Sequence, residues 1–382
     1  MWYKDIQGER LVIGGMSGTS SDGVTVALVR LRGTSLDKEI RFIDYVDKKY
    51  PEDLRREIFS LYPGKKMGIE EFSKVEYKVM GIYINAVEEL LRKNGIERRE
   101  VSLISLQGPI LYYDPPLCVE LSEGAIVSEA TGIPVISHLR AQDIATGGRG
   151  APLSPYVDYL LFRDPDMGRI IQNIGGIANL TAIFPKSTMD EIISFDTGPG
   201  NMIIDYVVDR FYGRPYDDGG KIAESGKIDK SLLEWLLSHP YIEETPPKTT
   251  GRETFGEGFG KEVVRRGMDL GLTPEDLVAT VTAFTVESIV LNYEEFVFPY
   301  GKIDEVILGG GGAFNNTMVK LLKKRVHPIK ISTHADYGIP PQAREALTWA
   351  VLGDETLCGT PSNLPHITGA TKKVLQGTLT PI

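Results

Sequence analysis

In the first part of the chain, hydrophobic residues recur with two different spacings in successive segments. Segments in which every second residue is apolar predict β-strands, and segments with apolar residues three and four positions apart predict helices. Strands are predicted at 11–15, 24–31, 41–45, 101–106 and 133–137, and helices at 51–60 and 70–93. Alternating strands and helices are typical of an α/β protein.

A related order begins again near Arg169. The segment 170–184 predicts a strand, a Gly-Gly turn and a second strand, and 191–195 predicts a third strand that stops at the loop 196–201, DTGPGN. Helices are then predicted at 201–212, 230–238, 261–270 and 274–294, and a strand at 305–308 leads into the glycines 309–312. The repeat predicts two similar lobes, each with a three-stranded unit and crossing helices.

Three glycine-rich turns follow predicted strands. The first lies in LVIGGMSGTSSDGVTVAL, residues 11–28, where hydroxyl side chains stand beside glycines that let the backbone approach a ligand. Successive N–H groups in such a turn bind anions, and phosphate is the usual occupant. The second turn is the Gly-Gly pair in NIGGIANLT, and the third, ILGGGGAFN, could admit adenosine against bare backbone. Each turn alone could be a tight connection, but together they predict a nucleotide cleft shared by two lobes.

Composition narrows the function classes. The 382 residues are 42% hydrophobic and 25% charged, which suits a globular chain of about two or three domains. A net charge of −10 argues against a nucleic-acid partner. Two cysteines and five scattered histidines give neither a disulfide framework nor a zinc site. No apolar run reaches the ~20 residues that span a bilayer, and the charged first ten residues do not resemble a signal peptide, so we expect a cytoplasmic protein with no membrane partner.

Seven blocks of sequence resemble the anhydro-N-acetylmuramic acid kinase family, in order and nearly end to end. They are GMSGTSSDGV at 15–24, GGRGAPL at 147–153, NIGGIANLT at 173–181, FDTGPGN at 195–201, PPKTTGRE at 246–253, GGGAFN at 310–315 and SNLPHITGA at 362–370. The resemblance implies the actin, sugar-kinase and Hsp70 type of fold, with two ribonuclease-H-like lobes around a central ATP cleft. We expect residues 1–140 with 360–382 in the lobe of the first phosphate turn and 141–359 in the other.

The resemblance also implies an unusual kinase of amino-sugar metabolism. The family opens the 1,6-anhydro ring of its sugar with water and phosphorylates the released O6 from ATP, which gives N-acetylmuramic acid 6-phosphate and ADP in peptidoglycan turnover. Attack of water on the anomeric carbon needs a base, and departure of O6 needs an electrophile such as the γ-phosphoryl group. The implied cofactors are ATP and Mg²⁺, and the family suggests a homodimer.

Asp196 and Glu345 are the candidate catalytic residues. Asp196 matches the base aspartate of the family, although an Asp before Thr-Gly is also a common turn former. Glu345 matches a family glutamate that orients the attacking water or the sugar, and without the resemblance it would be an exposed helix residue.

Three more residues are candidates for binding the sugar. The resemblance places Arg140 against the sugar, where a guanidinium fork suits the carboxylate of an anhydromuramic acid. Asp143 follows Arg140 in the same block, and a surface salt bridge between the two is the alternative. Asn201 ends the DTGPGN loop and could equally cap the following helix.

The glycine-rich blocks supply the candidate nucleotide contacts. We expect ATP to meet Gly18, Thr19, Ser20, Ser21, Asp22, Gly23, Val24, Thr25, Asn173, Gly175, Gly176, Gly310, Gly311, Gly312 and Asn315. Asp22 is also the candidate ligand for Mg²⁺, an ion that usually keeps several waters and few protein ligands.

Two departures from the family bear on the substrate. Thr25 stands where the family has an acid, and Ser105 to Pro109 reads SLQGP where the family commonly has S-H-G-Q-T, so that histidine has no counterpart. A kinase of another 1,6-anhydrosugar such as levoglucosan is therefore the main competing hypothesis. A non-catalytic sugar regulator and a chaperone or filament ATPase of the same superfold are less favoured hypotheses.

Overall fold

The computed structural model describes residues 8–18, 21–63 and 68–382. The strands are β1 Arg10–Met16, β2 Gly23–Arg32, β3 Glu39–Lys49, β4 Val101–Gln107, β5 Ile110–Asp114, β6 Leu117–Glu120, β7 Val135–Ser137, β8 Arg169–Ile174, β9 Ile177–Ile183, β10 Ile193–Pro199, β11 Glu305–Gly309, β12 Lys330–Thr333 and β13 Thr378–Thr380. The α-helices are α1 Glu52–Ser60, α2 Ile69–Asn94, α3 Gly124–Thr131, α4 Ala141–Ala145, α5 Ser154–Phe162, α6 Met202–Tyr212, α7 Lys221–Ser225, α8 Lys230–Leu237, α9 Pro240–Glu243, α10 Arg252–Phe255, α11 Glu257–Asp269, α12 Pro274–Phe296, α13 Asn316–Val326, α14 Arg344–Leu357 and α15 Pro365–Thr368.

The chain divides into two compact units. The first unit comprises Met1–Leu161 and Gly338–Ile382, and the second comprises Phe162–Tyr337. These limits differ from the expected 1–140 with 360–382 and 141–359, because α5 and α14 both belong to the first unit. A buried ion pair joins the two helices, with Arg344 Nη2 at 2.6 Å from Asp158 Oδ1.

The first unit is built on a six-stranded sheet in the order β13-β7-β4-β1-β2-β3. Strands β1, β2 and β3 form an antiparallel meander, and β4 and β7 extend it in parallel. Helix α2 packs on β2 and β3, while α14 packs on β1 and β4. The contact with α14 requires glycine at residue 14, because a Cβ there would lie 1.8 Å from the Ala346 carbonyl oxygen.

The second unit repeats this arrangement with five strands in the order β10-β9-β8-β11-β12. Strands β8, β9 and β10 form the antiparallel meander, and β11 and β12 extend it in parallel. Helix α12 begins at a Thr273 cap followed by Pro274, is buried along most of its length, and packs against β10 and α6. The order β7-β4-β1-β2-β3 of the first unit corresponds to β12-β11-β8-β9-β10 of the second, and β13 is an additional strand of the first unit. The predicted α/β fold with two ribonuclease-H-like lobes is confirmed.

Strand β10 is longer than the sequence predicted. The expected third strand stops before Asp196, whereas β10 runs on to Pro199 and carries Asp196 within it. Its pairing with β9 continues past a register shift between Asp196 and Gly198, where Gly198 takes a φ of 126°. In the described ranges of the chain no helix is long and apolar enough to cross a membrane.

Candidate active site

The turn after β1 is anchored by its own backbone and by a tyrosine. Ser17 N–H donates to the Gln107 carbonyl at 3.0 Å, and Tyr50 Oη donates to Ser17 Oγ at 3.0 Å. Ser21 takes a φ of 47°, and its N–H donates to the Gly18 carbonyl at 3.0 Å. These bonds fix both ends of the predicted phosphate turn. Of the predicted ATP contacts in this turn, Thr19 and Ser20 lie outside the described residues.

The rest of the first phosphate block belongs mainly to strand β2. The Val24 side chain is 2% exposed and packs in the core, and Thr25 Oγ1 donates to Asp47 Oδ1 on β3 at 2.5 Å. Gly23 is required by close packing, since a Cβ there would lie 2.3 Å from the Lys48 carbonyl oxygen. The side chains of Val24 and Thr25 are therefore committed to the sheet, and any contact of theirs with a nucleotide would come from the backbone.

Asp22 is the one candidate metal ligand proposed from the sequence. Its side chain is exposed, and its carbonyl accepts a hydrogen bond from Tyr50 N–H at 2.9 Å. In the part of the chain that the structure describes, no three His, Cys, Asp or Glu residues come together to hold a metal ion. A single exposed carboxylate fits Mg²⁺, since this ion takes most of its ligands from water and phosphate.

In the second unit, the Gly-Gly turn after β8 and the DTGPGN loop are joined directly. Asn201 N–H donates to the Gly175 carbonyl at 2.7 Å, and Gly200 N–H donates to the Gly176 carbonyl at 2.9 Å. A Cβ at Gly200 would lie 2.2 Å from the Gly175 carbonyl oxygen. The backbones of the two predicted turns therefore meet at one end of the sheet, and Gly176 remains exposed there.

The glycine run after β11 reaches the same end of the sheet. Gly310 has a φ of 73°, and a Cβ there would lie 2.6 Å from the Ile174 carbonyl oxygen and 2.8 Å from Asn173 Oδ1. A Cβ at Gly312 would lie 2.4 Å from Ile174 Cγ2, so larger residues are excluded there too. At Gly311 the nearest atom to a Cβ is Asn201 Nδ2, at 3.4 Å. The second unit thus gathers its glycine-rich segments, Asn173 and Asn201 in one place.

Two asparagines of this region have different structural tasks. Asn315 is buried and caps α13, with its Oδ1 accepting from Met318 N–H at 3.0 Å. Its side-chain oxygen caps the helix, and the nucleotide contact expected of Asn315 stays a prediction. Asn201 does not cap α6 with its side chain, because its Nδ2 donates to the Ile174 carbonyl at 3.2 Å.

Asp196 lies within β10 and its carboxylate is held by the segment that precedes α10. Asp196 Oδ2 accepts from Thr249 Oγ1 at 2.7 Å and from Thr250 N–H at 3.0 Å. The Asp196 carbonyl accepts from Tyr241 Oη at 2.7 Å, and the side chain is half-buried. Two donors on one oxygen fix the orientation of the carboxylate while the group keeps access to solvent.

Polar side chains on α12 donate hydrogen bonds to main-chain carbonyls of the DTGPGN loop. Ser288 Oγ and Asn292 Nδ2 donate to the Thr197 carbonyl at 2.6 and 3.0 Å, and Thr285 Oγ1 donates to the Gly200 carbonyl at 2.8 Å. These buried groups satisfy loop carbonyls that would otherwise lack partners in the core. They were not predicted from the sequence, although hydroxyl and amide residues spaced three and four apart in an apolar helix were the available signal.

Asp205 is a second carboxyl group that was not predicted from the sequence. It lies in the first turn of α6, one turn after Asn201, and its N–H donates to the Asn201 carbonyl at 2.7 Å. Burial raises the pKa of Asp205 to about 7. Burial is the cause of this pKa shift, and no charged neighbour among the described residues contributes to it.

In the first unit, Arg140 is held in one orientation by three neighbours. Its Nε donates to Gln107 Oε1 at 3.0 Å, its Nη1 donates to the Gly150 carbonyl at 2.6 Å, and its guanidinium lies 5.2 Å from the Trp349 ring centre. The predicted alternative of a surface salt bridge to Asp143 is wrong, since neither hydrogen bond involves that residue. A guanidinium fixed in this way is a preorganised site for a carboxylate or hydroxyl group.

Asp143 is fully buried and ties three segments together. Its Oδ2 accepts from Gly150 N–H at 2.7 Å, and its Oδ1 accepts from Asn363 Nδ2 at 2.8 Å and Thr368 Oγ1 at 2.7 Å. A carboxylate with these partners shapes the GGRGAPL loop next to Arg140. The structure therefore gives Asp143 a structural task, and the sugar contact stays a prediction.

Glu345 is exposed in the first turn of α14. Trp349 follows it by four residues on the same helix, so the two side chains share one face. Trp349 is also the residue whose ring centre lies 5.2 Å from the Arg140 guanidinium.

A buried carboxylate lies next to the block that departs from the family. The Glu120 side chain is 4% exposed, and its Oε1 lies 3.0 Å from His138 Nδ1. His138 has a φ of 56°, and the contact with Glu120 raises the pKa of its imidazole. This pair could not be predicted, because the two residues are far apart in sequence and carry no motif.

The comparisons with known proteins agree with the motifs. A family model described as anhydro-N-acetylmuramic acid kinase matches residues 10–382. Anhydro-N-acetylmuramic acid kinase of Caldanaerobacter subterraneus subsp. tengcongensis is 38% identical over 97% of this chain and 96% of its own length. That of Bacillus thuringiensis subsp. konkukian is 39% identical over 97% of this chain and 98% of its own length. These matches confirm the resemblance seen in the seven blocks, and the chain belongs to the anhydro-N-acetylmuramic acid kinase family, whose members are phosphotransferases that act on an alcohol group.

Proposed function

We propose that this chain is an ATP-dependent kinase that opens the 1,6-anhydro ring of anhydro-N-acetylmuramic acid with water and phosphorylates O6. The products are N-acetylmuramic acid 6-phosphate and ADP, and the reaction returns a cell-wall sugar to metabolism. One observation carries the proposal: the Asp196 carboxylate is held by Thr249 and Thr250 in the strand that leads into the glycine-rich end of the second unit.

Asp196 acts as the general base in this proposal. The carboxylate accepts a proton from a water molecule as the water oxygen bonds to the anomeric carbon. The bond from that carbon to O6 breaks, and O6 takes the γ-phosphoryl group as ADP leaves. Base catalysis and capture of the departing oxygen thus assist each other.

The glycine-rich turns provide the nucleotide contacts. In the second unit, Gly176 and Gly311 present backbone without side chains next to Asn173 and Asn201. In the first unit, Gly18 and Ser21 close the turn after β1. Mg²⁺ neutralises triphosphate charge when bound, and Asp22 is the residue that would hold it. Backbone donors and few side chains are the usual means of binding phosphates.

Arg140 and Glu345 are the proposed sugar-side residues. The substrate carries a carboxylate on its lactyl group, and a guanidinium held by Gln107, Gly150 and Trp349 is suited to bind it. Glu345, on the helix face that carries Trp349, would orient the sugar or the attacking water.

A panel of acceptors tests the proposal. ADP release is measured with anhydro-N-acetylmuramic acid, levoglucosan, N-acetylmuramic acid and glucose at equal concentrations. We expect turnover only with 1,6-anhydrosugars, and higher kcat/KM for the acceptor that carries a carboxylate. Phosphorylation of glucose at the rate of the anhydrosugars would exclude ring opening as the function.

A kinase of levoglucosan is the second candidate. The observation that favours it is Gln107, which occupies the block where the family commonly has a histidine and bonds directly to Arg140. Levoglucosan has no carboxylate, so a higher kcat/KM for it than for anhydro-N-acetylmuramic acid would select this candidate.

We further propose that the enzyme acts as a homodimer in the cytoplasm, where its phosphoryl donor ATP is available. Sedimentation equilibrium at micromolar concentration tests the dimer, and a mass of 42.2 kDa would show a monomer instead.

A further inference from the structure

Lys248 is a buried lysine in the segment between α9 and α10. It is 5% exposed, and its Nζ lies 3.3 Å from the Tyr241 carbonyl oxygen and 3.2 Å from the Ile242 carbonyl oxygen. The same ammonium lies 5.0 Å from the ring centres of Tyr241 and Phe296 and 5.8 Å from that of Phe195. Carbonyl oxygens and aromatic faces both attract a cation, so this group is held from several sides.

The segment that Lys248 begins is the one that holds Asp196. The Lys248 carbonyl accepts from Asp196 N–H at 3.2 Å, and the next two residues, Thr249 and Thr250, donate to Asp196 Oδ2. Tyr241 completes a ring, because its hydroxyl donates to the Asp196 carbonyl while its own carbonyl accepts from Lys248 Nζ. The contacts of Asp196 with this segment therefore begin at Lys248, the residue whose side chain is enclosed by carbonyl oxygens and rings.

The buried ammonium is costly for the fold. Burial lowers the pKa of Lys248 to about 8, although the carboxylates of Glu244 and Glu295 favour its charged form. A methionine of similar size would occupy the space among the three rings without this cost, although it could not donate to the Tyr241 and Ile242 carbonyls. Packing among the rings therefore does not by itself require an ammonium at this position.

We propose that Lys248 is a positioning residue for Asp196, whose ammonium anchors the segment 248–250 so that Thr249 and Thr250 hold the carboxylate in its working orientation. The inference rests on the proposed function of Asp196 as the base. Lys248 itself touches no substrate, since its ammonium is enclosed by carbonyl oxygens and rings. Its effect on the reaction passes through the two threonines.

The variant Lys248→Met tests the proposal through a split between kcat and KM. Misplacement of a reacting group by about 1 Å costs on the order of 10²-fold in rate, so we expect kcat to fall roughly 10- to 100-fold. KM for ATP and for the anhydrosugar should stay within about twofold. The thermal midpoint should change little, because the Tyr241 and Ile242 carbonyls lose a donor while the cost of burying a charge is removed. Lys323→Met makes the same chemical change at an exposed site of α13 and should leave all four quantities unchanged. A wild-type kcat in Lys248→Met overturns the proposal.

A second pair of variants keeps the test open if Lys248→Met does not fold. Thr249 is exposed, so Thr249→Val removes the hydroxyl bond to Asp196 without disturbing the core. We expect kcat to fall at least threefold and Thr249→Ser to restore it. A wild-type kcat in Thr249→Val would show that this segment does not position the carboxylate.

The variant Asp196→Asn separates this proposal from the function on which it rests. With Asp196→Asn in place, the added change Lys248→Met should lower kcat no further, because both act on one group. Undiminished turnover in Asp196→Asn alone would refute the base. If Asp196→Asn abolishes turnover while Lys248→Met and Thr249→Val do not reduce it, the base stands and only the positioning proposal fails.

Discussion

The replacement Asp143→Asn distinguishes a structural carboxylate from a sugar ligand. Asp143 accepts three hydrogen bonds, from Gly150 N–H, Asn363 Nδ2 and Thr368 Oγ1, at 2.7, 2.8 and 2.7 Å. An amide in the same place has a single oxygen, and its NH₂ group must face at least one of these donors. The variant therefore loses one charge-assisted bond and leaves a buried donor without an acceptor.

The expected loss of stability follows from the missing hydrogen bond and the unsatisfied donor. A hydrogen bond to a charged group contributes about 1.5–3 kcal/mol, and a buried unsatisfied donor costs about 1–3 kcal/mol. We expect Asp143→Asn to lower the free energy of unfolding by about 3–5 kcal/mol. At about 2–4 °C per kcal/mol for a unit of this size, the midpoint of thermal unfolding falls by ~6–20 °C.

Scanning calorimetry and steady-state kinetics together check this prediction. The control Asp53→Asn makes the same change at an exposed position in the first turn of α1 and should cost less than about 1 kcal/mol. At a temperature where Asp143→Asn remains folded, KM for the sugar should change little. A wild-type midpoint combined with a raised KM would show that Asp143 contacts the sugar and would refute the structural assignment.

Three other predictions concern packing, the base and the sugar. Gly14→Ala places a Cβ 1.8 Å from the Ala346 carbonyl oxygen, and we expect urea unfolding to show a loss of about 3 kcal/mol in stability. In the control Gly81→Ala the added Cβ meets no neighbouring atom within 4 Å, and we expect a gain of about 0.5–1 kcal/mol. Asp196→Asn should lower kcat at least ~10²-fold, while titration calorimetry should show the same affinity for ATP. Near-normal turnover would show that another residue is the base. Arg140→Lys should raise KM for the sugar about tenfold while KM for ATP stays constant, because an ammonium cannot form the paired hydrogen bonds of a guanidinium. An unchanged KM for the sugar would show that Arg140 does not bind it.

The sheets and their turns could be predicted because their signals are local. Strand β2 is predicted at 24–31 and spans Gly23–Arg32, and helix α2 is predicted at 70–93 and spans Ile69–Asn94. Alternating apolar residues and glycine turns specify such elements within a short window. The repeat of this pattern after Arg169 predicted the second unit correctly.

Only Glu345 of helix α14 was expected to be helical, the bounds of the helix were not predicted, and its burial explains why. The helix is enclosed almost all round, so it lacks the one-sided apolar pattern that reveals a surface helix. Its Asp354 carboxylate accepts from Arg10 Nε at 2.7 Å and from Lys38 Nζ at 2.5 Å. These ion pairs could not be predicted, because Arg10 and Lys38 lie more than three hundred positions from Asp354 in the sequence.

Motifs in the sequence predicted which segments form the candidate site, but not which atoms their side chains contact. In the second unit, the Gly-Gly turn, the DTGPGN loop and the glycine run after β11 come together as expected, because all three follow strands of one sheet. The first glycine-rich turn belongs to the sheet of the other unit. Residue type alone could not show that Asn315 caps a helix or that Asp143 is enclosed. Lys248 gave no signal of its own, since its partners are main-chain carbonyls and aromatic rings from separate elements.

The configuration of the first product formed tests the central claim most directly. Direct attack by a water molecule that Asp196 deprotonates must occur on the face opposite the anhydro bridge, so the anomeric carbon inverts. Proton NMR of the reaction with ATP and anhydro-N-acetylmuramic acid, recorded before mutarotation, should show the 6-phosphate as the inverted anomer, with one ADP formed per bridge opened. The retained anomer, or ADP formed while the bridge stays intact, would contradict the account.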